Sequence, residues 1–270
     1  MTRVRLDEEL VAQGICQDTA DALRTLMAGL VSSGGERLSS PGMRVKPGIP
    51  LHVKGRIPYV SRGGLKLAGA LEALGVDPRG LRCLDVGCST GGFTDCLLRR
   101  GAVSVIAVDV GRAQFDWSLR NDARVTLLER TNAADLPALG YHGCCDLAVC
   151  DVSFTGVGSV IDAVCAALSS EGAFLSLIKP QFEAHADEVG EGGIVHDPAI
   201  WRSVLERSVA LFAERGLMPR GLCASPITGA KGNHEFFLLG RRDPVDAGSS
   251  APAFDAERAI DAAIERAERS

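Results

Sequence analysis

Residues 84–93, LDVGCSTGGF, decide how the chain is read. A short apolar run closes on Asp85, gives way to glycines and small hydroxyl residues, and leads into the helix-like FTDCLLRRG. This is a strand, a tight turn and a helix start. The following run SVIAVDV ends in Asp109, one strand later. Gly87, Gly91 and Gly92 let backbone approach a ligand and adopt positive φ without a Cβ in the way. The free N–H groups at the start of the next helix favour an anionic group. An acid ending the second strand is placed to accept from a ribose diol. The order points to a nucleoside-bearing cofactor, although a glycine-rich turn can also be purely structural. No Lys-Ser/Thr ending of a Walker motif follows, which disfavours a nucleotide triphosphatase.

The chain around this turn is long enough, at 270 residues, for one large domain and a small one. It is 46% hydrophobic and 23% charged, so a substantial core is expected. The net charge of −5 argues against a generally basic nucleic-acid binder but leaves room for a local basic face. Nine cysteines contain no CxxC pair, and most lie in apolar runs where they pack as small hydrophobes. No metal site is expected. With no signal-like start and no apolar stretch of membrane-spanning length, a cytoplasmic location is expected.

From residue 82 onward strand-like and helix-like runs alternate: RCLDVG, SVIAVDVG, RVTLLER, DLAVCD, AFLSLIKP, PRGLCAS and EFFLLGRR, with helical segments such as WRSVLERSVALFAERG between them. Such alternation implies a mostly parallel, seven-stranded α/β sheet covered on both faces. The last two runs are expected to form an antiparallel hairpin at the sheet edge. The sheet-bearing domain is assigned to residues 65–242, behind a linker at 55–64. After Arg242, a linker and an exposed, solvated helix at 254–269 are expected, within a tail spanning 243–270.

Residues 1–54 read as a separate α+β module. Leu6, Leu10 and Val11 make one apolar helical face, and Ala20, Leu23, Leu26 and Met27 another. Gly and Pro turns then divide short β-like pieces through MAGLV, PGMRVKPG and LHV. This pattern resembles the S4 RNA-binding domain. Gln17, Asp18, Thr19 and Asp21 depart from that family's more basic second helix. Residues 1–56 carry eight Lys/Arg against six Asp/Glu, and the remainder 21 against 28. The module is the only net-positive part, and its RNA affinity is expected to be weak and salt-sensitive. Arg3, Arg5, Arg24, Arg44 and Lys46, with Arg62 beyond the module, are the candidate RNA contacts.

Four charged residues stand where an open α/β sheet collects its chemistry. Asp151 ends DLAVCD, Lys179 ends AFLSLIKP, Glu235 begins EFFLLG, and Lys66 lies in SRGGLKL before the first strand. A lysine closing an apolar strand is costly to bury unless paired. The order Lys66, Asp151, Lys179, Glu235 around STGGF resembles the K-D-K-E set of FtsJ/RrmJ-type ribose 2′-O-methyltransferases. With the S4-like module, the chain closely resembles the TlyA family of rRNA cytidine 2′-O-methyltransferases, once described as haemolysins. VSRGGLKL, CLDVGCSTGGFTDCLL, SLRNDARV, LERTNA, CDVSF, IKPQFE, GGIVHDP and GNHEFFL carry the likeness over nearly the whole chain.

The resemblance implies a Rossmann-like class I methyltransferase using S-adenosyl-L-methionine on ribosomal RNA. It implies cofactor contacts from Asp85, Gly87, Ser89, Thr90, Gly91, Gly92 and Phe93, with Asp109 on the ribose and Thr131 and Asn132 near the adenine. Lys179 would take the proton of the 2′-hydroxyl, Lys66 would be its neighbouring cation, and Asp151 and Glu235 would orient both. Gly192, Gly193, His196 and Asp197 would belong to a loop covering the substrate. Two other readings stay open: a small-molecule acceptor with a degenerate S4 module, and a membrane-active or RNA-binding protein without catalysis.

Overall fold

Two units, each with its own core, divide the chain at Met1–Pro58 and Tyr59–Ser270. The computed structural model describes residues 3–16, 18–55, 57–112, 114–229, 231–242 and 254–269; the linker expected at 243–253 lies outside them.

The first unit opens with strand β1 (Val4–Arg5) and helices α1 (Leu6–Ala12) and α2 (Thr19–Met27). Four short strands follow: β2 (Val31–Ser33), β3 (Glu36–Arg37), β4 (Arg44–Val45) and β5 (His52–Val53). They form a three-stranded sheet in the order β3-β2-β5 and a separate β1-β4 pair. Asp18 caps α2 by accepting from the Asp21 N–H at 2.7 Å, a bond that removes one orphan donor of the helix start. Leu6, Leu10, Ala22, Leu26, Val31, Val45 and Val53 make the core. Both expected apolar helix faces therefore contribute, although Ala20 and Met27 are exposed.

In the second unit α3 (Gly63–Ala73) precedes β6 (Arg82–Val86), α4 (Gly92–Arg99), β7 (Ser104–Asp109), α5 (Trp117–Arg120) and β8 (Val125–Glu129). Then come β9 (Cys145–Cys150), α6 (Ile161–Ala167), β10 (Leu168–Ile178), α7 (Pro180–Glu183), α8 (Pro198–Glu214), β11 (Met218–Ala224), β12 (Phe236–Arg241) and α9 (Ala256–Glu268). The sheet runs β11-β12-β10-β9-β6-β7-β8. β10, β9, β6, β7 and β8 are parallel, and β12 is antiparallel to both neighbours. This is the expected mostly parallel, seven-stranded Rossmann-like sheet.

The last two strands form the expected antiparallel hairpin at the sheet edge. β12 is inserted between β10 and β11, leaving β11 at the edge. Residues 236–240 are all buried, whereas β11 alternates with partly exposed positions. A continuous apolar run belongs between neighbours, covered on both faces. Alternate residues of β6 feed two cores: Leu84 and Val86 pack towards α6, α8 and α9, and Cys83 towards α3 and α4.

The C-terminal helix is a correction. Ile260, Ala263, Ile264 and Ala267 of α9 are buried, and Asp261 pairs with Arg202 of α8. The i, i+3, i+4, i+7 spacing gives α9 an apolar stripe, so it packs into the larger core rather than lying solvated.

Candidate active site

The carboxyl edge of the parallel strands gathers the charged residues. The 87–91 turn follows β6, Asp109 closes β7, and Asp151 and Lys179 stand just past β9 and β10. Glu235 precedes β12, which runs the opposite way, so its N-terminal end reaches the same edge. Lys66 comes from the first turn of α3.

Those four residues line one cavity of about 490 Å³. Lys66 Nζ donates to Glu235 Oε2 at 2.5 Å, with Glu235 buried. Lys179 Nζ lies 2.5 Å from Asp151 Oδ1 and donates to Val152 O and Ser153 Oγ, both at 2.9 Å. Lys179 thus makes two hydrogen bonds and one ion pair. Each lysine thus has its own carboxylate. Sequestering a charge this deeply is tolerable because the partner and further hydrogen bonds replace its water.

The turn after β6 is built by backbone bonds. Gly87 and Cys88 N–H donate to Val108 O at 2.9 and 3.2 Å, and Gly91 N–H donates to Cys88 O at 2.7 Å. Gly87 and Gly91 have φ +80° and +94°, and Ser89 holds φ +46° without being glycine. A Cβ on Gly87 would come within 2.9 Å of Asp151 O, and one on Gly91 within 2.5 Å of Leu119 Cδ1. On Gly92 it would meet Ser61 Oγ at 2.2 Å. The glycines thus let the turn pack against the protein itself, a different reason from the expected ligand approach. Gly87, Ser89, Thr90, Gly92 and Phe93 line the cavity.

Asp109 is locked into this turn: Oδ2 accepts from Ser89 N–H at 2.8 Å and Oδ1 from Gly111 N–H at 2.6 Å. It lines a second, smaller hollow with Phe115, Leu127 and Glu129. Cys88 and Ser89 border both hollows, so an elongated ligand could pass across the turn from one to the other. Asp85 is fully buried beneath it and accepts from Thr94 Oγ1 at 2.6 Å, with Oδ1 unpartnered. Burial, followed by the charges of Asp151 and Asp109 against the opposing Thr94 bond, pushes its carboxyl up to about 7. Asp85 lines neither hollow, nor do Thr131 and Asn132. Thr131 Oγ1 donates to Glu129 O and Asn132 Oδ1 accepts from Ala134 N–H, so both serve their own loop.

A family model described as FtsJ-like methyltransferase matches residues 59–242. The chain belongs to that family. The 16S/23S rRNA (cytidine-2′-O)-methyltransferase TlyA of Mycobacterium tuberculosis is 45% identical over 240 residues, 87% of this chain and 89% of its own. Hemolysin A of Brachyspira hyodysenteriae is 36% identical over 86% of this chain and 98% of its own. A solved Streptococcus thermophilus protein under a provisional hemolysin name is 36% identical, with a TM-score of 0.71 over 100% of this chain and 97% of its own.

In this FtsJ-like methyltransferase the sequence reading missed several cavity residues. Phe154 is 92% exposed at φ +68°, and its ring lies 5.6 Å from that of Phe182. An exposed aromatic on a strained backbone is the kind of feature retained at functional sites. The segment IKPQFE holds it: Lys179 grips Val152 and Ser153, and Glu183 Oε1 accepts from Val157 N–H at 2.7 Å. Asn233 is buried, accepts from Val195 N–H at 3.0 Å and donates to Gly193 O at 2.9 Å, fastening the 190–195 loop. His196 and Asp197 lie outside both hollows, and Asp197 caps α8 by accepting from Ala199 N–H. Arg62 lines the cavity.

Arg3, Arg24, Arg44 and Lys46 are exposed in the first unit. Arg5 is bound through Nε and Nη2 to Asp7 at 3.0 and 2.7 Å. Among the described residues, no helix is long and apolar enough to cross a membrane, and no cluster of His, Cys, Asp and Glu could hold a metal ion.

Proposed function

We propose that this protein methylates the 2′-hydroxyl of a cytidine ribose in ribosomal RNA, with S-adenosylmethionine as donor. The observation that carries the reading is the convergence of the Lys66–Glu235 and Lys179–Asp151 pairs on one cavity beside the 87–93 turn. The 45% identity to a relative named for cytidine 2′-O-methylation of 16S and 23S rRNA supports the acceptor. The exposed Phe154 beside Phe182 supports a nucleobase neighbour, since flat aromatic faces stack on bases of any sequence.

The turn and the Asp109 hollow fit the cofactor. Asp109, with its carboxylate already oriented by Ser89 and Gly111, would hold the ribose diol, and the first N–H groups of α4 would face the amino-acid carboxylate. When bound, the cofactor supplies a methyl group activated by its sulfonium. The protein mainly has to align the acceptor oxygen. Lys179 then receives the hydroxyl proton, which requires that its ammonium first give a proton to solvent water and turn the freed lone pair to the acceptor. Ser153 Oγ is its exchangeable partner, because Val152 O is backbone and Asp151 carries charge. Asp151 keeps the amine aimed, and Lys66–Glu235 fixes the opposite wall.

In this reading the first unit is an S4-like RNA-binding module and the enzyme works in the cytoplasm, where ribosomes are made. Labelled cofactor incubated with ribosomal subunits and naked ribosomal RNA tests the activity, followed by nucleoside mass spectrometry. The expected product is 2′-O-methylcytidine. Transfer to none of these acceptors removes the RNA reading and brings forward a small acceptor in the same fold. Lys179→Ala should abolish transfer while keeping cofactor affinity, and Lys179→Arg should fail as well because a guanidinium stays protonated. Substantial activity in the Arg variant would leave Lys179 a positioning cation.

A further inference from the structure

Four cationic side chains line the cavity: Arg62, Lys66, Lys179 and Lys231. Lys66 and Lys179 are each neutralised by a carboxylate at 2.5 Å. Arg62 and Lys231 are not, and among the described residues neither has an acidic partner. Arg62 Nη2 donates to Thr228 O at 3.1 Å and Lys231 Nζ to Gly192 O at 3.1 Å. A backbone carbonyl fixes the direction of a cation without cancelling its charge. The unpaired positive charge of the cavity wall therefore comes from these two residues.

Their mountings are linked. Thr228 and Lys231 belong to the same short connection between β11 and β12, so the two cationic groups flank one stretch of chain. The carbonyl that holds Lys231 belongs to a Gly192–Gly193 turn with φ +74° and +78°. Asn233 pins that turn through its two bonds, to Gly193 O and from Val195 N–H. Gly229 N–H also donates to Asn233 O at 2.8 Å, closing the connection on itself. Both cations are thus held by backbone that is itself fastened, and little ordering remains to be done when an anion arrives.

We propose that Arg62 and Lys231 form a phosphodiester subsite for the RNA strand, next to the acceptor ribose. The inference rests on the RNA-methyltransferase reading and adds Lys231 to it. A phosphodiester spreads one negative charge over two non-bridging oxygens, which suits a planar guanidinium on one side and a compact ammonium on the other. It is the anionic group that every RNA ribose carries whatever its base, so the subsite positions the acceptor without reading sequence.

The test is steady-state methyl transfer from labelled cofactor to ribosomal RNA between about 50 and 200 mM salt. Lys231→Gln, Arg62→Gln and Lys231→Arg are compared with the wild type, and cofactor affinity is measured by calorimetry. Each Gln variant should raise KM for RNA on the order of tenfold, and its log–log salt slope should be shallower by ~1. Lys231→Arg should restore most of the loss, and cofactor affinity should hold. An unchanged slope with an active wild type overturns the subsite alone, whereas an inactive wild type overturns the RNA reading beneath it. Weakened cofactor binding with an unchanged salt slope would assign the pair to the cofactor's carboxylate and also overturn the proposal. A kcat loss with unchanged KM would leave Lys231 only fastening the 190–195 loop.

Discussion

The Lys66 ammonium meets the Glu235 carboxylate at 2.5 Å although 169 residues separate them in sequence. The pair joins the first turn of α3 to the chain entering β12, and Glu235 is only 4% exposed. Removing one partner leaves the other charge buried and unpaired. Glu235→Ala should therefore cost about 3–5 kcal/mol of stability as well as methyl transfer. The double change Lys66→Met with Glu235→Leu should recover most of that stability while transfer stays absent. Denaturant titration beside a transfer assay separates the two effects. Activity in the double variant would reduce the pair to a structural tie.

Cofactor affinity should depend on Asp109 more cleanly than on the glycines. Gly91→Val would drive a Cβ to within 2.5 Å of Leu119 at φ +94°, so a loss of binding there would report damaged packing. Asp109→Ala removes the acceptor shared by Ser89 and Gly111 N–H and opens the smaller hollow without a clash. Calorimetry should find S-adenosylmethionine affinity reduced by at least about tenfold, consistent with loss of one or more charge-assisted hydrogen bonds. Unchanged affinity would take Asp109 out of the ribose site.

How far the sequence reached follows from where its signals lie. Asp109, Asp151 and Lys179 were legible because a polar group closing an apolar strand marks the sheet's carboxyl edge, and Glu235 because it opens one. Which carboxylate each lysine meets was not, since the Lys66–Glu235 contact depends on β12 lying beside β10. The edge hairpin of β11 and β12 was legible, and the continuous apolar run Phe236–Leu239 marks β12 as its inner strand. Likewise the spacing of Ile260, Ala263, Ile264 and Ala267 could have shown that α9 packs. Phe154 and Asn233 were hidden for a different reason: each works through a loop whose course no local periodicity records.

Stability should fall with rising pH on account of Asp85. Burial holds its carboxyl near 7 in the folded chain, against the ordinary 3.8. Between these values the folded state keeps a proton that the unfolded state has lost, so stability declines as pH rises through the window and levels off above it. The full effect is on the order of 4 kcal/mol. Asp85→Asn keeps an acceptor for the Thr94 hydroxyl and removes the titration. Thermal melts should find the variant gaining on the wild type from about pH 4 to 7. Parallel pH profiles of the two proteins would show that Asp85 does not titrate in that range.

Not every arginine of the first unit should matter to RNA in the same way. Arg5 holds Asp7, which is 1% exposed, and this hydrogen-bonded pairing keeps the Asp7 carboxyl below its usual range despite burial. A depressed carboxyl contributes stability above its unfolded value, and the contribution is lost as pH falls through the folded value. Arg5→Ala should therefore lower Tm at neutral pH, with the difference from wild type narrowing in acid. Lys46 and Arg44 are exposed, and among the described residues the Arg44 side chain donates only to Arg3 O. Lys46→Gln and Arg44→Gln should leave Tm unchanged, weaken binding to ribosomal subunits, and flatten its log–log salt dependence by ~1 each. Cofactor affinity should not move. If neither substitution alters the salt slope, these two cations make no phosphate contacts, and the proposal of RNA binding by this face of the first unit is lost.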